Sequence, residues 1–195
     1  MKTPITKERW VQAQEGEKEF HIKESVEHSI ESYKNAYDYY FKYLEIEKNL
    51  DGKSVIDIGP GRISALLFCE NFSKSYIIEP TEYDGIDHLY KNSNLEIINK
   101  TAEDWEFKKV DEVWLFNLLQ HVQDPDLLIQ KCKENSKVIR YFEPIDCPIN
   151  NEHPFSFNRE DFVNYFGDSV KIYNSIGEPG FHGATCAYGV FHTGL

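Results

Sequence analysis

The segment Val55-Ile56-Asp57-Ile58-Gly59-Pro60-Gly61 restricts the possible folds of this chain more than any other stretch. The nearly continuous apolar run at 54–58 predicts a strand that is buried on both faces of a sheet. Gly59 and Gly61 lack side chains, so the backbone after this strand can approach a ligand closely and adopt a positive φ. Asp57 lies near the carboxyl end of the strand, where ligands bind in open α/β sheets. The segment therefore predicts a ligand-binding turn at one edge of a parallel sheet.

The chain after this turn alternates between strand-like and helix-like segments. Further strands are predicted at residues 75–79, 95–98, 112–117 and 137–142. Helical segments are predicted at 63–72 and 86–91, after the Asp124-Pro125 cap, and at 158–166. Two last strands, at 170–173 and 186–192, have a glycine-rich connection without helical character, so they are expected to pair as an antiparallel hairpin. The alternation predicts an α/β fold with a mostly parallel seven-stranded sheet and helices on both faces.

The residues before the first strand predict helices. One apolar face recurs at spacings of three and four and indicates an amphipathic helix that ends near residue 48. Its members are Val26, Ile30, Tyr33, Tyr37, Tyr40 and Leu44. Residues 6–20 are charged and also predicted to be helical, with Trp10 as an isolated apolar anchor. We therefore divide the chain into an N-terminal helical segment, 1–50, and an α/β domain, 51–195.

Composition excludes several classes of function. Lys and Arg number 21 against 33 Asp and Glu, and the formal charge of −12 makes a nucleic-acid partner unlikely. The four cysteines form no CxxC pair, and no secretory signal or membrane-spanning apolar stretch is found, so a cytoplasmic protein is expected. The seven histidines show no HxxxH or HExxH spacing, so no dedicated metal site is predicted.

Two nucleotide-binding motifs compete for the first turn. Glu79 follows Gly59 by 20 residues, at the end of the second strand, where an acid can accept hydrogen bonds from both hydroxyls of a ribose. The dinucleotide motif GxGxxG has Ser64 in place of its third glycine, and the methyltransferase motif (D/E)xGxGxG has Ile63 in place of its last. Asp57 favours the methyltransferase motif, because a carboxylate suits a methionine amino group and would repel a pyrophosphate.

The segment DEVWLFNLLQHVQDPDLL, residues 111–128, resembles the corresponding stretch of class I S-adenosylmethionine-dependent methyltransferases. There a hydrophobic strand leads to Asn or Ser, a Leu-(Glu/Gln)-His-(Val/Ile) step, and Asp-Pro at the start of a helix. The loop 99–104 resembles the family's adenine-binding loop, with Thr101 where an Asp is usual. The resemblance covers about half the chain, 52–142. It implies a Rossmann-like three-layer sandwich with S-adenosylmethionine as the cofactor.

The resemblance also implies roles for individual residues. The methionine end of the cofactor would be held by Asp57, Gly59, Pro60 and Gly61, and the ribose would be bound by Glu79. The adenine would be bordered by Pro80, Thr101, Ala102 and Glu103. The residues beneath the cofactor would be Asn117 and Leu118. The N-terminal helices would form a lid, as that segment often does in small methyltransferases. The expected reaction is methylation of an oxygen or nitrogen of a small or sugar-like acceptor.

Transfer to a hydroxyl or ammonium also needs a base, and histidine is suited to that role near neutral pH. His121 and His153 are the candidates, on the segments after the fourth and fifth strands, with Glu143 and His182 as weaker ones. His121 could instead be a structural member of its turn, and His153 an exposed loop residue. Two other functions stay open: an NAD-dependent oxidoreductase and a non-catalytic binding module with the methyltransferase fold.

Overall fold

The computed structural model describes residues 2–21, 23, 25–84, 86–90, 94–174 and 184–195. Seven strands in these residues join one sheet: β1 (Val55–Ile58), β2 (Ser75–Ile78), β3 (Leu95–Ile98), β4 (Val110–Phe116), β5 (Ser136–Ile145), β6 (Lys171–Asn174) and β7 (Thr185–His192). Their order across the sheet is β3-β2-β1-β4-β5-β7-β6. β1 to β5 are parallel, whereas β7 is antiparallel to both β5 and β6. The predicted mostly parallel sheet and its C-terminal hairpin are confirmed.

The described residues form four α-helices: α1 (Lys7–His21), α2 (Val26–Leu44), α3 (Pro125–Asn135) and α4 (Arg159–Phe166). α2 packs on one face of the sheet, and α3 and α4 pack on the other. β4 shows how the sheet separates two apolar layers, because successive side chains of a strand point to opposite faces. Trp114 packs in the layer that contains α2, and Leu115 packs in the layer that contains α3 and α4. Both side chains are fully buried, so the predicted three-layer arrangement is confirmed.

The capping signals in the sequence work as predicted. The Asp124 side chain accepts a hydrogen bond from Leu127 N at the start of α3, where Pro125 is the first helical residue. Asn158 and Asp161 form a reciprocal capping box on α4, which ends at Gly167 with φ +60°. These local contacts set the positions of both helices on the α3–α4 face.

The helix expected after β1 is much shorter than predicted. Within the described residues, the segments after β1 and β2 form the 3-10 turns Ala65–Phe68 and Asp87–Tyr90, so the expectation of a helix over 63–72 is wrong. The reason is the pairing of the next residues with the chain after α2. Glu70 N donates to Lys48 O at 2.8 Å, and Leu50 N donates to Glu70 O at 3.0 Å, so residue 70 is held in extended conformation.

The N-terminal helices belong to the same packed structure. The predicted stripe of α2 is buried at Tyr37, Tyr40 and Leu44, in one layer with residues of the sheet. α1 lies beside the 3-10 turn Leu119–His121, which follows β4. None of the helices described in this structure has the length and hydropathy needed to span a membrane. His182 and the glycine-rich stretch around it lie outside the described residues.

Candidate functional site

A cavity of about 250 Å³ lies at the carboxyl ends of β1, β2 and β4. Almost every residue that the sequence assigned to a cofactor lines it, although these residues come from four separate segments of the chain. They are Gly59, Pro60, Gly61, Glu79, Pro80, Thr101, Ala102, Glu103, Asn117 and Leu118. The parallel strands bring these segments to one edge of the sheet, as the topology requires. Asp57 is the one predicted cofactor residue that does not line the cavity.

The turn after β1 depends on its two glycines. Gly59 and Gly61 have φ values of +59° and +66°, which L side chains rarely adopt. Tyrosines from outside the turn hold the residues that follow. Tyr37 donates its hydroxyl to Ile63 O at 2.5 Å, and the Tyr90 hydroxyl accepts from Ser64 N at 3.0 Å. The turn is therefore a rigid wall of the cavity rather than a free loop.

Asp57 supports this turn from beneath. Its side chain is 1% exposed, and its Oδ2 atom accepts hydrogen bonds from Ser64 Oγ at 2.6 Å and Ala65 N at 3.0 Å. Burial raises the pKa of Asp57 to about 6. The expectation that its carboxylate faces a ligand is not met in this structure, because burial and these two donors direct it into the protein. Leu66 N donates in turn to Ser64 Oγ, so the first two amides of the following 3-10 turn are bonded within the protein.

Glu79 lies where β2 ends, next to the glycine turn. Its Oε2 atom accepts from Gly61 N at 3.0 Å, and its Oε1 atom accepts from Thr81 N at 2.9 Å. The residue is 8% exposed and lines the cavity. Its carboxylate is therefore held at the mouth of the glycine turn by two backbone amides.

The loop after β3 is organised by a lysine that the sequence analysis did not single out. Lys131 on α3 donates its Nζ to the carbonyls of Ala102, Glu103 and Trp105, at 2.9, 2.7 and 2.5 Å. The Glu103 carboxylate accepts from Gln123 N at 2.8 Å and from Asp124 N at 3.0 Å. These contacts fasten the loop to the start of α3 and fix the backbone of Ala102, which lines the cavity.

Glu143 supports the floor of the cavity. The residue is 1% exposed, and its carboxylate accepts from Leu118 N at 2.9 Å and Leu119 N at 3.0 Å. Burial raises the pKa of Glu143 to about 8. Asn117, directly before these amides, has φ +55° and accepts from the Gln120 side chain at 3.0 Å. Glu143 therefore serves as a structural acceptor beneath the loop.

The two predicted histidines meet at the lid side of the cavity. The ring centroids of His121 and His153 are 4.7 Å apart, and both rings direct a nitrogen at one carboxylate oxygen, Glu17 Oε1. The distances are 3.5 Å from His121 Nδ1 and 3.7 Å from His153 Nε2. Glu17 and His121 line the cavity. The sequence did not indicate Glu17, because it lies about a hundred residues from its partners.

α1 is held against this group by the backbone of His121. The side chains of Trp10 and Gln14 both donate to His121 O at 3.1 Å. Arg9 donates to the carbonyls of Asn150 and Asn151 in the loop that carries His153. α1 therefore covers the cavity and contacts both histidine-bearing segments.

The wall of the cavity is acidic. Among the described residues that line it, three are glutamates, namely Glu17, Glu79 and Glu103, and none is Lys or Arg. Such a wall attracts a positively charged group and repels a phosphate.

No protein-family model matches the chain, and no curated protein matches it. In structure the chain is similar to 1,6-didemethyltoxoflavin-N1-methyltransferase of Burkholderia thailandensis, solved with bound 1,6-didemethyltoxoflavin and S-adenosylhomocysteine. The identity is 11% and the TM-score 0.67, over 98% of this chain and 92% of that one. It is also similar to the N-terminal domain of EvdMO1, solved in the presence of S-adenosylhomocysteine and D-fucose, with 15% identity and a TM-score of 0.55 over 80% and 82% of the two chains.

A third similar structure is StiE O-MT, residues 961–1257, with 13% identity and a TM-score of 0.55. The match covers 72% of this chain and 53% of that one, so this chain spans about half of the StiE fragment. At 11 to 15% identity, these likenesses establish the fold. Together with the strand order and the antiparallel β7, they show that this chain has the Rossmann-like fold of the class I S-adenosylmethionine-dependent methyltransferases.

Proposed function

We propose that this protein is an S-adenosylmethionine-dependent methyltransferase that acts on an oxygen or nitrogen of a small or sugar-like acceptor. The proposal rests on one observation: ten residues predicted to contact the cofactor line a single cavity. The fold is shared with structures solved with S-adenosylhomocysteine, the demethylated product of that cofactor.

In this proposal, the backbone at Gly59, Pro60 and Gly61 holds the methionine end of the cofactor. Glu79, at the end of β2 and on the cavity wall, accepts hydrogen bonds from the ribose hydroxyls. The adenine lies against Pro80 and the backbone of 101–103, which Lys131 holds in position. Asn117 and Leu118 form the floor. Asp57 acts indirectly, by fixing the turn rather than by touching the cofactor.

The charge of the cavity argues against the NAD-dependent alternative. A dinucleotide carries a pyrophosphate, which is usually bound at the amino end of a helix. Here the segment after the turn is a short 3-10 turn whose first amides already donate to Asp57 and Ser64. The glutamates of the lining favour the positive sulfonium and amino groups of S-adenosylmethionine.

The acceptor end is proposed to lie beneath the N-terminal helices. Trp10, Gln14 and Glu17 from α1, with Tyr33 and Tyr40 from α2, complete the cavity, so residues 1–50 would act as its lid. The 1,6-didemethyltoxoflavin and D-fucose named for two of the similar structures are small molecules, which supports a compact acceptor over a polymer. The net charge of −12 disfavours nucleic acid, and four free thiols fit a cytoplasmic protein.

Methyl transfer from a sulfonium is an in-line displacement, so the protein must chiefly align the acceptor atom with the methyl group. A neutral acceptor also loses a proton. We assign the removal of that proton to the group formed by His121, His153 and Glu17, of which His121 lines the cavity. A carboxylate between two imidazoles stabilises the imidazolium that accepts the proton.

Calorimetric titration of the purified chain with S-adenosylhomocysteine, and separately with NAD, tests the cofactor. We expect saturable binding of S-adenosylhomocysteine and none of NAD; the reverse result would exclude the proposal. Release of S-adenosylhomocysteine from S-adenosylmethionine in the presence of hydroxylated and amine acceptors then separates an enzyme from a non-catalytic binding module.

A further inference from the structure

We propose that Glu17, His121 and His153 bind a divalent first-row transition-metal ion between the lid helix α1 and the cavity. Two imidazoles and one carboxylate are a ligand set that Zn²⁺ and its neighbours prefer, whereas Mg²⁺ and Ca²⁺ prefer oxygen ligands. Zn²⁺ is the ion we expect there, because it is commonly bound by histidine and carboxylate ligands. Binding itself does not depend on the proposed methyl transfer.

The three ligand atoms already lie nearly as close to one another as the ligands of a single metal ion do. Glu17 Oε1 lies 3.5 Å from His121 Nδ1 and 3.7 Å from His153 Nε2, and all three atoms lie within 4.8 Å of one another. Tetrahedral ligands that are each about 2.1 Å from a zinc ion lie about 3.4 Å apart. A small contraction of the group therefore suffices to enclose an ion.

The environment of the group also suits a metal site. The side chains are 20%, 13% and 28% exposed for Glu17, His121 and His153, so an ion would be sheltered but still reached by solvent. The ligands come from α1, from the 3-10 turn after β4 and from the loop after β5, and Arg9 and Trp10 hold these segments together. Because the parts are preassembled, little ordering entropy opposes binding.

Side-chain amides orient both rings. His121 Nε2 lies 3.2 Å from the Gln120 amide nitrogen, and His153 Nδ1 lies 3.4 Å from that of Asn150. These contacts direct the opposite ring nitrogens toward Glu17. When a metal takes His121 Nδ1, the proton moves to Nε2, and joint rotation of the Gln120 and Asn117 amides supplies an oxygen to accept it and keeps the bond between the two amides.

Two consequences follow from the location of this metal site between α1 and the cavity. Three protein ligands leave a coordination position open, as in catalytic zinc sites. Glu17 and His121 line the cavity, so that position is available to an acceptor group. With an ion bound, the two imidazoles are ligands and no longer accept the proton themselves; the ion would instead lower the pKa of a coordinated hydroxyl. The ion would also join α1 to the wall of the cavity and so hold the lid closed. This role deepens the proposed function and rests on it.

Metal binding is measured first. The full chain, stripped with a chelator, is titrated with Co²⁺ while its visible absorption is recorded, and with Zn²⁺ by calorimetry. We expect one ion per chain and a ligand-field spectrum of low coordination number. Glu17→Gln and His153→Ala should each weaken affinity by more than about 100-fold, since loss of a mere supporting contact already weakens metal sites by about 10- to 100-fold.

His192→Ala is the matched control, because it removes an exposed histidine of β7 and should leave affinity unchanged. Circular dichroism of each variant separates lost binding from lost folding. Absence of saturable binding to the wild type, or equal affinity in His153→Ala and His192→Ala, overturns the site. S-adenosylhomocysteine titration of the metal-free chain tests the proposed function separately: metal binding without it would retain the site and reject the methyltransferase.

Discussion

Gly59 in the turn after β1 packs directly against the side chain of Leu118 in the loop after β4. A Cβ atom placed on Gly59 would lie 2.3 Å from Leu118 Cδ1, far inside van der Waals contact. Both residues line the cavity. The missing side chain of Gly59 therefore lets two cavity-lining segments close against each other, in addition to permitting the positive φ.

Gly59→Ala is expected to destabilise the protein and to weaken S-adenosylhomocysteine binding. A positive φ costs an L residue about 1–2 kcal/mol, and forcing an added methyl group into a packed site costs about 1–3 kcal/mol more. Urea denaturation and calorimetry measure the two effects.

Gly52→Ala separates the clash from the backbone strain. Gly52 also has a positive φ, +78°, but an added Cβ there meets nothing within 4 Å. It should show only the smaller loss of stability, with normal ligand affinity. Leu118→Ala, made alone and in the Gly59→Ala background, should give losses of stability that are less than additive, because the truncation removes the clash. Equal losses in the Gly52 and Gly59 variants would mean that the Leu118 contact contributes nothing.

Asp57 and Glu79 are expected to differ in their response to amide substitution. Asp57→Asn keeps an oxygen that can accept from Ser64 Oγ and Ala65 N, so S-adenosylhomocysteine affinity should remain near that of the wild type. Glu79→Ala removes the proposed ribose contact and should weaken binding by about 1.5–3 kcal/mol, the usual value for a hydrogen bond to a charged group. Calorimetry on both variants makes the comparison.

Asp57→Ala completes this series. It leaves a buried hydroxyl and amide without their acceptor, so the free energy of unfolding should fall by about 1–3 kcal/mol. If Asp57→Asn instead lost as much affinity as Glu79→Ala, the Asp57 carboxylate would contact the ligand directly, against the arrangement seen here.

Features encoded by neighbouring residues could be predicted from the sequence. The strand patterns, the Asp124 cap and the capping box of Asn158 depend on contacts within a few residues, and all were found. Parallel topology then brings strand ends together, which is why so many predicted cofactor residues share one cavity.

Features that depend on distant contacts could not be predicted. The inward direction of Asp57 depends on the short turn after β1, which ends early because residue 70 pairs with residues 48 and 50. Lys131 and Glu17 act on segments far away in sequence, and no local pattern marks them. A search for short histidine motifs could not find the group of Glu17, His121 and His153, because its members come from three separate segments of the chain.

Lys131→Met is expected to loosen the loop after β3 and to weaken S-adenosylhomocysteine binding, because three backbone carbonyls lose their shared donor. Lys133→Met is its control on the same helix. Lys133 donates to Tyr165 O and packs over Phe166 and Phe191, away from the cavity. Both variants should lose similar stability, and only Lys131→Met should lose affinity; equal affinities would show that the lysine does not shape the site.

Glu143 should make stability depend on pH. Its pKa is raised by burial from 4.5 to about 8, so the folded state binds its proton more tightly than the unfolded state does. The resulting stabilisation is fully present below pH 4.5 and is lost as pH rises to 8. One proton corresponds to a slope of about 1.4 kcal/mol per pH unit at most. The ionisation of Asp57, whose pKa is about 6, likewise lowers the free energy of unfolding as pH rises, but over a lower pH range.

Glu143→Gln tests this expectation between pH 6.5 and 8, where Asp57 is already ionised. The glutamine keeps an acceptor oxygen for Leu118 N and Leu119 N but cannot ionise. Urea denaturation at several pH values should give a flatter dependence for the variant than for the wild type, and the variant should be the more stable at pH 8. Parallel curves would mean that Glu143 ionises no differently in the folded and unfolded chains, and that its burial does not restrain the loop beneath the cavity.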